Sequence, residues 1–291
     1  MEEEFKMVEC PRDAWQGLPQ VIPTAEKAAY LRALVAAGFR HIDAVSFVSP
    51  RRVPQMADSE KVMETLLESG ALQGVEIIGI VVNEKGLERA LATPGVTTAG
   101  YPYSLSPTFQ RQNANQSPEE ARQLISLLRE RTEEAGRGLA IYLSMAFGNP
   151  YGDPYSPAAA AEAVDWLRRE GVRSVSLADT AGTASAADVR RLFEAVRPRA
   201  AGLDLGLHLH TLPDQAAEKV RAACEAGCRR LDGALTGLGG CPFAGNDLVG
   251  NLPTERALAT LASLGVACSP SSEALAETLS LTREIANRYG H

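Results

Sequence analysis

The strongest constraint on the fold of this 291-residue chain is a regular alternation of short β-rich runs and helical stretches from end to end. Phe5–Cys10, His41–Val45, Val75–Val82, Val96–Tyr101, Leu139–Met145, Ser174–Leu177, Leu203–His208 and Arg230–Ala234 read as strands. Val75–Val82 is broken only by Glu76 and Gly79, which suits a strand covered on both faces. The intervening stretches carry helix punctuation. Thr24 as N-cap and Gly38 as stop bracket a helix over Ala25–Ala37. Ser117-Pro-Glu-Glu120 is a capping box with proline at the first helical position, and Ser156-Pro157 opens a second helix in the same way. Further helices are expected over Ser59–Ser69, Glu84–Ala92, Ala186–Val196, Pro213–Ala226, Thr254–Leu264 and Ser272–Tyr289, with Ser104–Gln116 as a polar loop. Eight βα units in a chain of this length predict a (β/α)8 TIM barrel, one domain over residues 1–291 with a C-terminal helical extension. A doubly wound open sheet is the alternative, but no Gly-x-Gly-x-x-Gly turn follows the first strand.

Composition narrows the partners. A net charge of −7 argues against a nucleic-acid surface, which needs a basic stripe. The acidic start, Met1-Glu-Glu-Glu4, reads as lacking a leader, and no long apolar run suggests a membrane span. Five cysteines, an odd number, read as reduced thiols in a cytoplasmic protein. Cys224 and Cys228, four residues apart on an expected helix, read as core packing, as does Cys268.

Barrels of this kind place chemistry at the C-terminal ends of their strands. Arg12-Asp13, Asp43 with Ser46, Asp179-Thr180 and His208-Leu-His210 all fall at such ends, and Gly237-Leu-Gly-Gly-Cys-Pro242 follows the last strand. Positions i and i+2 of a strand share a face, so His208 and His210 point the same way and could chelate a divalent ion. Asp13 could add a carboxylate and Asn251 an amide oxygen. Such a mixed nitrogen and oxygen set suits Mg²⁺ or Mn²⁺, with zinc as an alternative. Arg12 supplies a fixed positive charge for an enolate oxygen. The glycines around Cys241 would each cost roughly 0.5–1 kcal/mol inside a helix or strand. They suit a mobile loop carrying a thiol over the site, where a nearby cation would draw its pKa toward neutrality.

Taken together, Glu9-Cys-Pro-Arg-Asp13, Ser46-Phe-Val-Ser-Pro50 through Val53-Pro-Gln-Met56, Ser176-Leu-Ala-Asp-Thr180, His208-Leu-His210, Gly237–Pro242 and Gly250-Asn251 resemble the 3-hydroxy-3-methylglutaryl-CoA lyase family. The resemblance runs through nearly the whole chain. It implies a metal-dependent TIM barrel that cleaves an acyl-CoA to acetyl-CoA and acetoacetate in a retro-Claisen reaction. It further implies Asp13, His208, His210 and Asn251 as metal ligands, and Arg12, Cys241, Asp43 and His208 as catalytic groups. Arg12, Gln16, Ser46, Asp179 and Thr180 would bind substrate. A symmetric homodimer, the commonest oligomer in general, is a possible assembly.

Several positions depart from the family pattern. Before Pro11 either one residue is missing or Cys10 replaces a usual glycine, Asp43 stands where glutamate is common, and Thr211 where aspartate follows the second histidine. An asparagine usual on the next helix is replaced within Ala216-Ala-Glu-Lys219, and Trp15 brings an indole that could reshape the pocket. These departures keep three alternatives open: a lyase for a different 3-hydroxy-3-substituted acyl-CoA, an acyl-CoA condensing synthase, and a metal-binding barrel without turnover.

Overall fold

β1 (Lys6–Glu9), β2 (His41–Ser46), β3 (Glu76–Ile80), β4 (Thr98–Ser104), β5 (Gly138–Ser144), β6 (Ser174–Asp179), β7 (Asp204–Leu209) and β8 (Arg230–Gly233) pair in chain order. Every pairing is parallel, and β8 returns to β1 with Lys6 opposite Arg230 and Glu9 opposite Gly233, closing the barrel. The computed structural model of the chain describes residues 4–68, 70, 72–239 and 249–290. Among these residues, no helix is long and apolar enough to cross a membrane.

Side-chain alternation divides the buried residues into two sets. Val8, Cys10, Ile78, Ile80 and Tyr142 form a small apolar cluster inside the barrel. The larger cluster, including Leu31, Leu34, Leu66, Leu128, Leu167, Leu192 and Val220, lies between the strands and the surrounding helices. Each such side chain contributes about 1.5–3 kcal/mol when fully buried. Lower in the barrel the interior is charged. Arg230 meets Asp232 at 3.4 Å and Asp204 at 3.1 Å, and Gly206 leaves it room, since a Cβ there would lie 2.6 Å from the arginine side chain.

The outer elements are α1 (Pro11–Gln16), α2 (Thr24–Ala37), α3 (Ser59–Leu67), α4 (Glu84–Ala92), α5 (Pro107–Ala114) and α6 (Pro118–Glu134). They continue with α7 (Pro157–Arg169), α8 (Ala186–Val196), α9 (Ala216–Glu225), α10 (Thr254–Ser263) and α11 (Ala276–Tyr289). The expected capping box is present: the Ser117 hydroxyl accepts from Glu120 N–H, and the Glu120 carboxylate accepts from Ser117 N–H. Gly38 ends α2 at φ 106°, the left-handed conformation expected of a glycine stop.

Arg12 and Asp13 follow the first strand as expected, on a short helix begun by Pro11 that turns both side chains inward. Local expectations fail in two places. Thr24 is the first residue of α2 rather than its cap, and its hydroxyl donates to Asp58 at 2.7 Å. Within the expected loop Ser104–Gln116 lies α5, whose Ser106 side chain accepts from Phe109 N–H and whose Asn115 closes it at φ 57°. Ser106-Pro107 is the same start signal as Ser117-Pro118, placed ahead of a mostly polar stretch.

Candidate metal centre

The mouth of the barrel opens into a cavity of about 630 Å³. Arg12, Asp13, Gln16, Ser46, Thr180, His208 and His210 line it, so seven of the positions singled out in the sequence meet at one surface. Asp13 comes from α1, His208 from the end of β7, and His210 from the residue beyond that end. One potential ligand atom from each lies within 4.8 Å of the others. The two Nε2 atoms of the histidines stand 3.3 Å apart.

Asn251 reaches the same place through backbone pairing. It bridges antiparallel to His210, with Thr211 N–H donating to Gly250 O and Leu252 N–H to Leu209 O, each at 2.9 Å. Its amide donates to Leu238 O, which leaves Oδ1 buried without a partner. Asp13 Oδ2 is likewise buried and unpartnered. Nδ1 of His208 lies 3.5 Å from Asp232 Oδ2, an ion-pair distance with no well-formed hydrogen bond. Buried polar atoms are ordinarily paired. Two unpaired oxygens beside two converging imidazoles therefore fit a divalent cation, and the mixed donor set fits a hard or borderline one.

The protonation states of Asp13 and His210 agree with that fit, whereas His208 holds a proton that a bound cation would displace. Burial alone would raise the Asp13 carboxyl, but the charges of Arg12, His208 and His210 overcome it and hold it at about 2. Burial and the neighbouring His208 bring His210 down to about 4, so its ring is neutral. Burial would also lower His208, yet Asp232 and Asp13 outweigh it and raise the ring above its ordinary value.

Arg12 is held from two sides. Its Nε donates to Asp43 Oδ1 at 3.1 Å, Nη2 to Asp43 Oδ2, and Nη1 to Asp13 Oδ1 at 2.9 Å and to Gln16 Oε1 at 3.1 Å. Of its five N–H groups, one on Nη2 remains for an oxygen in the cavity. The guanidinium is buried and stays charged because Asp43 and Asp13 face it. Asp43 is fully buried beneath Arg12 and does not line the cavity; it orients the arginine instead of meeting a ligand.

Other expected positions are placed differently. Asp179 does not face the cavity: its carboxylate accepts from Thr183 N–H at 3.1 Å and Ala184 N–H at 3.0 Å, fastening the turn after β6. Thr180 does line the cavity, and its hydroxyl accepts from Met145 N–H at 2.9 Å. Ser46 lines it too, accepting from Val48 N–H at 3.4 Å. Trp15 is buried away from the cavity, edge-on to Tyr30 with centroids 5.3 Å apart, so it does not shape the pocket. Cys10 has φ −116°, which requires no glycine.

Cys241 lies outside the described residues. The glycines before it have a structural reason other than mobility. Gly239, at φ 93°, passes so close to the centre that a Cβ would lie 2.7 Å from Ala14 Cα, 2.9 Å from Asp13 O and 3.0 Å from Asn251 Nδ2.

Three groups were missed by sequence reasoning. Asp232 on β8 sits behind His208 and accepts from the Ser176 hydroxyl at 2.8 Å. Tyr142 on β5 lines the cavity with its hydroxyl buried and unpartnered. Lys219 on α9 is buried behind His210. Arg230 and Asp232, two charges at i and i+2 in a four-residue strand, were a readable sign of a polar barrel interior.

A family model described as HMGL-like matches residues 6–282. The mitochondrial hydroxymethylglutaryl-CoA lyase of Mus musculus is 32% identical over 287 residues, covering 98% of this chain and 87% of that one. The crystal structure of the HMG-CoA lyase from Brucella melitensis superposes with a TM-score of 0.88 at 30% identity, covering 98% of this chain and 99% of that one. An HMG-CoA lyase from Acinetobacter baumannii, solved in complex with coenzyme A and 3-methylmalate, superposes with the same TM-score at 28% identity and coverage of 99% and 92%.

Proposed function

Because this chain belongs to the HMGL-like family, that of the hydroxymethylglutaryl-CoA lyases, we propose that it cleaves 3-hydroxy-3-methylglutaryl-CoA to acetyl-CoA and acetoacetate. The observation that carries this reading is the convergence of Asp13, His208 and His210, beside the buried guanidinium of Arg12, in one cavity at the barrel mouth. Asp13, His208, His210 and Asn251 would hold a Mg²⁺ or Mn²⁺ ion, which when bound supplies Lewis acidity and a template for substrate oxygens.

The residues themselves support the rest of the reaction. Transfer of the tertiary hydroxyl proton to a general base lets the C3–O bond become the ketone of acetoacetate as the C2–C3 bond breaks, and the C2–C3 electron pair passes into the thioester enolate, which then takes a proton on carbon to give acetyl-CoA. Arg12 offers its remaining N–H to an oxygen that gains charge in this step, preorganised by Asp43 so that no reorientation is needed. Asp232 keeps the His208 ring in place from behind. Cys241 is assigned the proton delivered to or taken from carbon. Supporting that assignment, Gly239, two residues earlier, already packs against Asp13 and Ala14. Gln16, Ser46 and Thr180 present polar groups to the substrate from the cavity wall.

Arg51 and Arg52 line the same cavity from the loop after β2, and neither guanidinium makes a hydrogen bond or ion pair with another described residue. Two uncommitted cations at the rim of an otherwise acidic chain suit the phosphates of an acyl-CoA. The reading treats residues 1–291 as one catalytic domain. Free thiols at all four described cysteines support a reducing compartment such as the cytoplasm. With Trp15 away from the cavity, the feature that favoured a different acyl group is gone.

The test is direct. Purified protein with Mn²⁺ and 3-hydroxy-3-methylglutaryl-CoA should release acetoacetate and acetyl-CoA in equal amounts, and a chelator should stop it until metal is returned. No product at saturating substrate and metal would refute the assignment.

A further inference from the structure

His210 stands one residue beyond the end of β7, and its backbone carbonyl makes no bond within the sheet. In the antiparallel pairing with residues 250–252, the bonds run through Thr211 N–H and Leu209 O, bypassing His210 O. That carbonyl is instead met by Lys219 Nζ at 3.3 Å, from the first turn of α9. The lysine is 1% exposed, and its ammonium also stands 4.0 Å from Asp179 Oδ2, itself 1% exposed. Asp179 is in turn fixed at the end of β6 by Thr183 and Ala184 N–H.

One buried ammonium thus ties three places together: the end of β6, the residue after β7 and the first turn of α9. A buried lysine is costly unless its charge is compensated, and neither the cavity nor the proposed chemistry uses this one. Its position is also electrostatically awkward for a cation site, because it places a like charge behind a ligand.

We propose that Lys219 is a positioning residue for the metal centre, holding His210 through its carbonyl and anchored by Asp179. The inference rests on the reading of Asp13, His208 and His210 as ligands. It makes a directional claim. If the lysine acted on the site mainly through its charge, removing it would tighten cation binding. As a positioning group, its removal loosens His210 and weakens binding, as loss of groups behind a ligand generally does by about 10–100-fold.

Mn²⁺ titration of the metal-free full-length protein, read by paramagnetic resonance of the free ion, distinguishes these cases without any turnover. Lys219→Met should bind Mn²⁺ about 10–100-fold more weakly than wild type, with unchanged circular dichroism. Lys219→Arg, which keeps the charge and the donors, should recover most of the affinity. Binding by Lys219→Met as tight as wild type, or tighter, overturns the proposal. Should that variant fail to fold, Lys219→Leu, which likewise carries neither charge nor donor, reads the same quantity, and wild-type affinity there overturns it equally. Wild-type protein that binds no Mn²⁺ removes the ligand reading itself and this inference with it. Wild-type binding with unimpaired variants removes the inference alone.

Discussion

Arg12 separates two effects that are easily confused, loss of a charge and loss of a geometry. Arginine forks onto Asp43 through Nε and Nη2 while Nη1 serves Asp13 and Gln16. Lysine at this position would keep a cation opposite Asp43 but not the fork or the remaining N–H aimed into the cavity. Arg12→Lys is expected to lower kcat by about 10²–10³-fold, the usual loss for one preorganised donor, while the thermal midpoint stays close to wild type. Arg12→Ala should behave differently. It leaves Asp43 fully buried without its partner, a situation that destabilises by about 3–5 kcal/mol, and Arg12→Ala with Asp43→Asn should recover much of that stability but none of the rate. Paired melting curves and kcat measurements on the three variants check this. Arg12→Lys with wild-type kcat would remove the arginine from the chemistry.

At the scale of elements, Glu9 is the joint between the first strand and the turn after the last. Its carboxylate accepts from Leu235 N–H at 2.8 Å and from the Thr254 hydroxyl at 2.6 Å, fastening β1 to the turn after β8 and to α10. Burial raises its pKa from 4.5 to about 8 against the lowering effect of those two bonds. The folded state therefore holds a proton that the unfolded chain releases near pH 4.5. The associated stability is complete below that pH and is lost as the pH rises through about 8. Glu9→Gln, which cannot ionise, should melt with wild type at pH 4.5 and above it at pH 9, by several kcal/mol in unfolding free energy. Parallel melting curves for the two proteins at both pH values would count against the assignment.

The same elements show what a sequence makes legible. Strand ends and the His208–His210 pair follow from period-two alternation, which is local, and the barrel follows from counting such runs. Asp13 and Asn251 were placed as ligands through the family pattern, and their burial beside the histidines is consistent with that. The functions of Asp43, Asp179 and Trp15 were misread because each depends on which way a side chain turns at a strand end or on a helix one turn long. Arg12 captures Asp43, backbone amides capture Asp179, and Tyr30 captures Trp15. Those partners are between 4 and 31 residues away in sequence, and nothing in local periodicity selects among them. Lys219 escaped for the opposite reason: a charge on an outer helix ordinarily faces solvent, and here it is buried against the barrel.

For the whole molecule the question is how a chain of net charge −7 captures a polyanion. Long-range repulsion must be offset near the site, and the rim residues Arg51 and Arg52 are placed to do so, since both line the cavity that contains Asp13, His208 and His210. If the substrate is the proposed CoA ester, their effect should fall on the phosphates of the carrier and leave the bond being broken untouched. Replacing both by alanine is expected to raise KM for the CoA ester about tenfold, the cost of one or two charge-assisted contacts, with kcat nearly unchanged. The same variant should act on the corresponding pantetheine thioester, which lacks the diphosphate and ribose phosphate, with wild-type KM. Raising ionic strength should weaken CoA-ester binding by wild type more steeply than by the variant, because surface charges are screened over about 10 Å at 0.1 M salt. An equal rise in KM for both thioesters would instead mean that the two arginines shape the loop after β2, and would leave the phosphates to be held elsewhere.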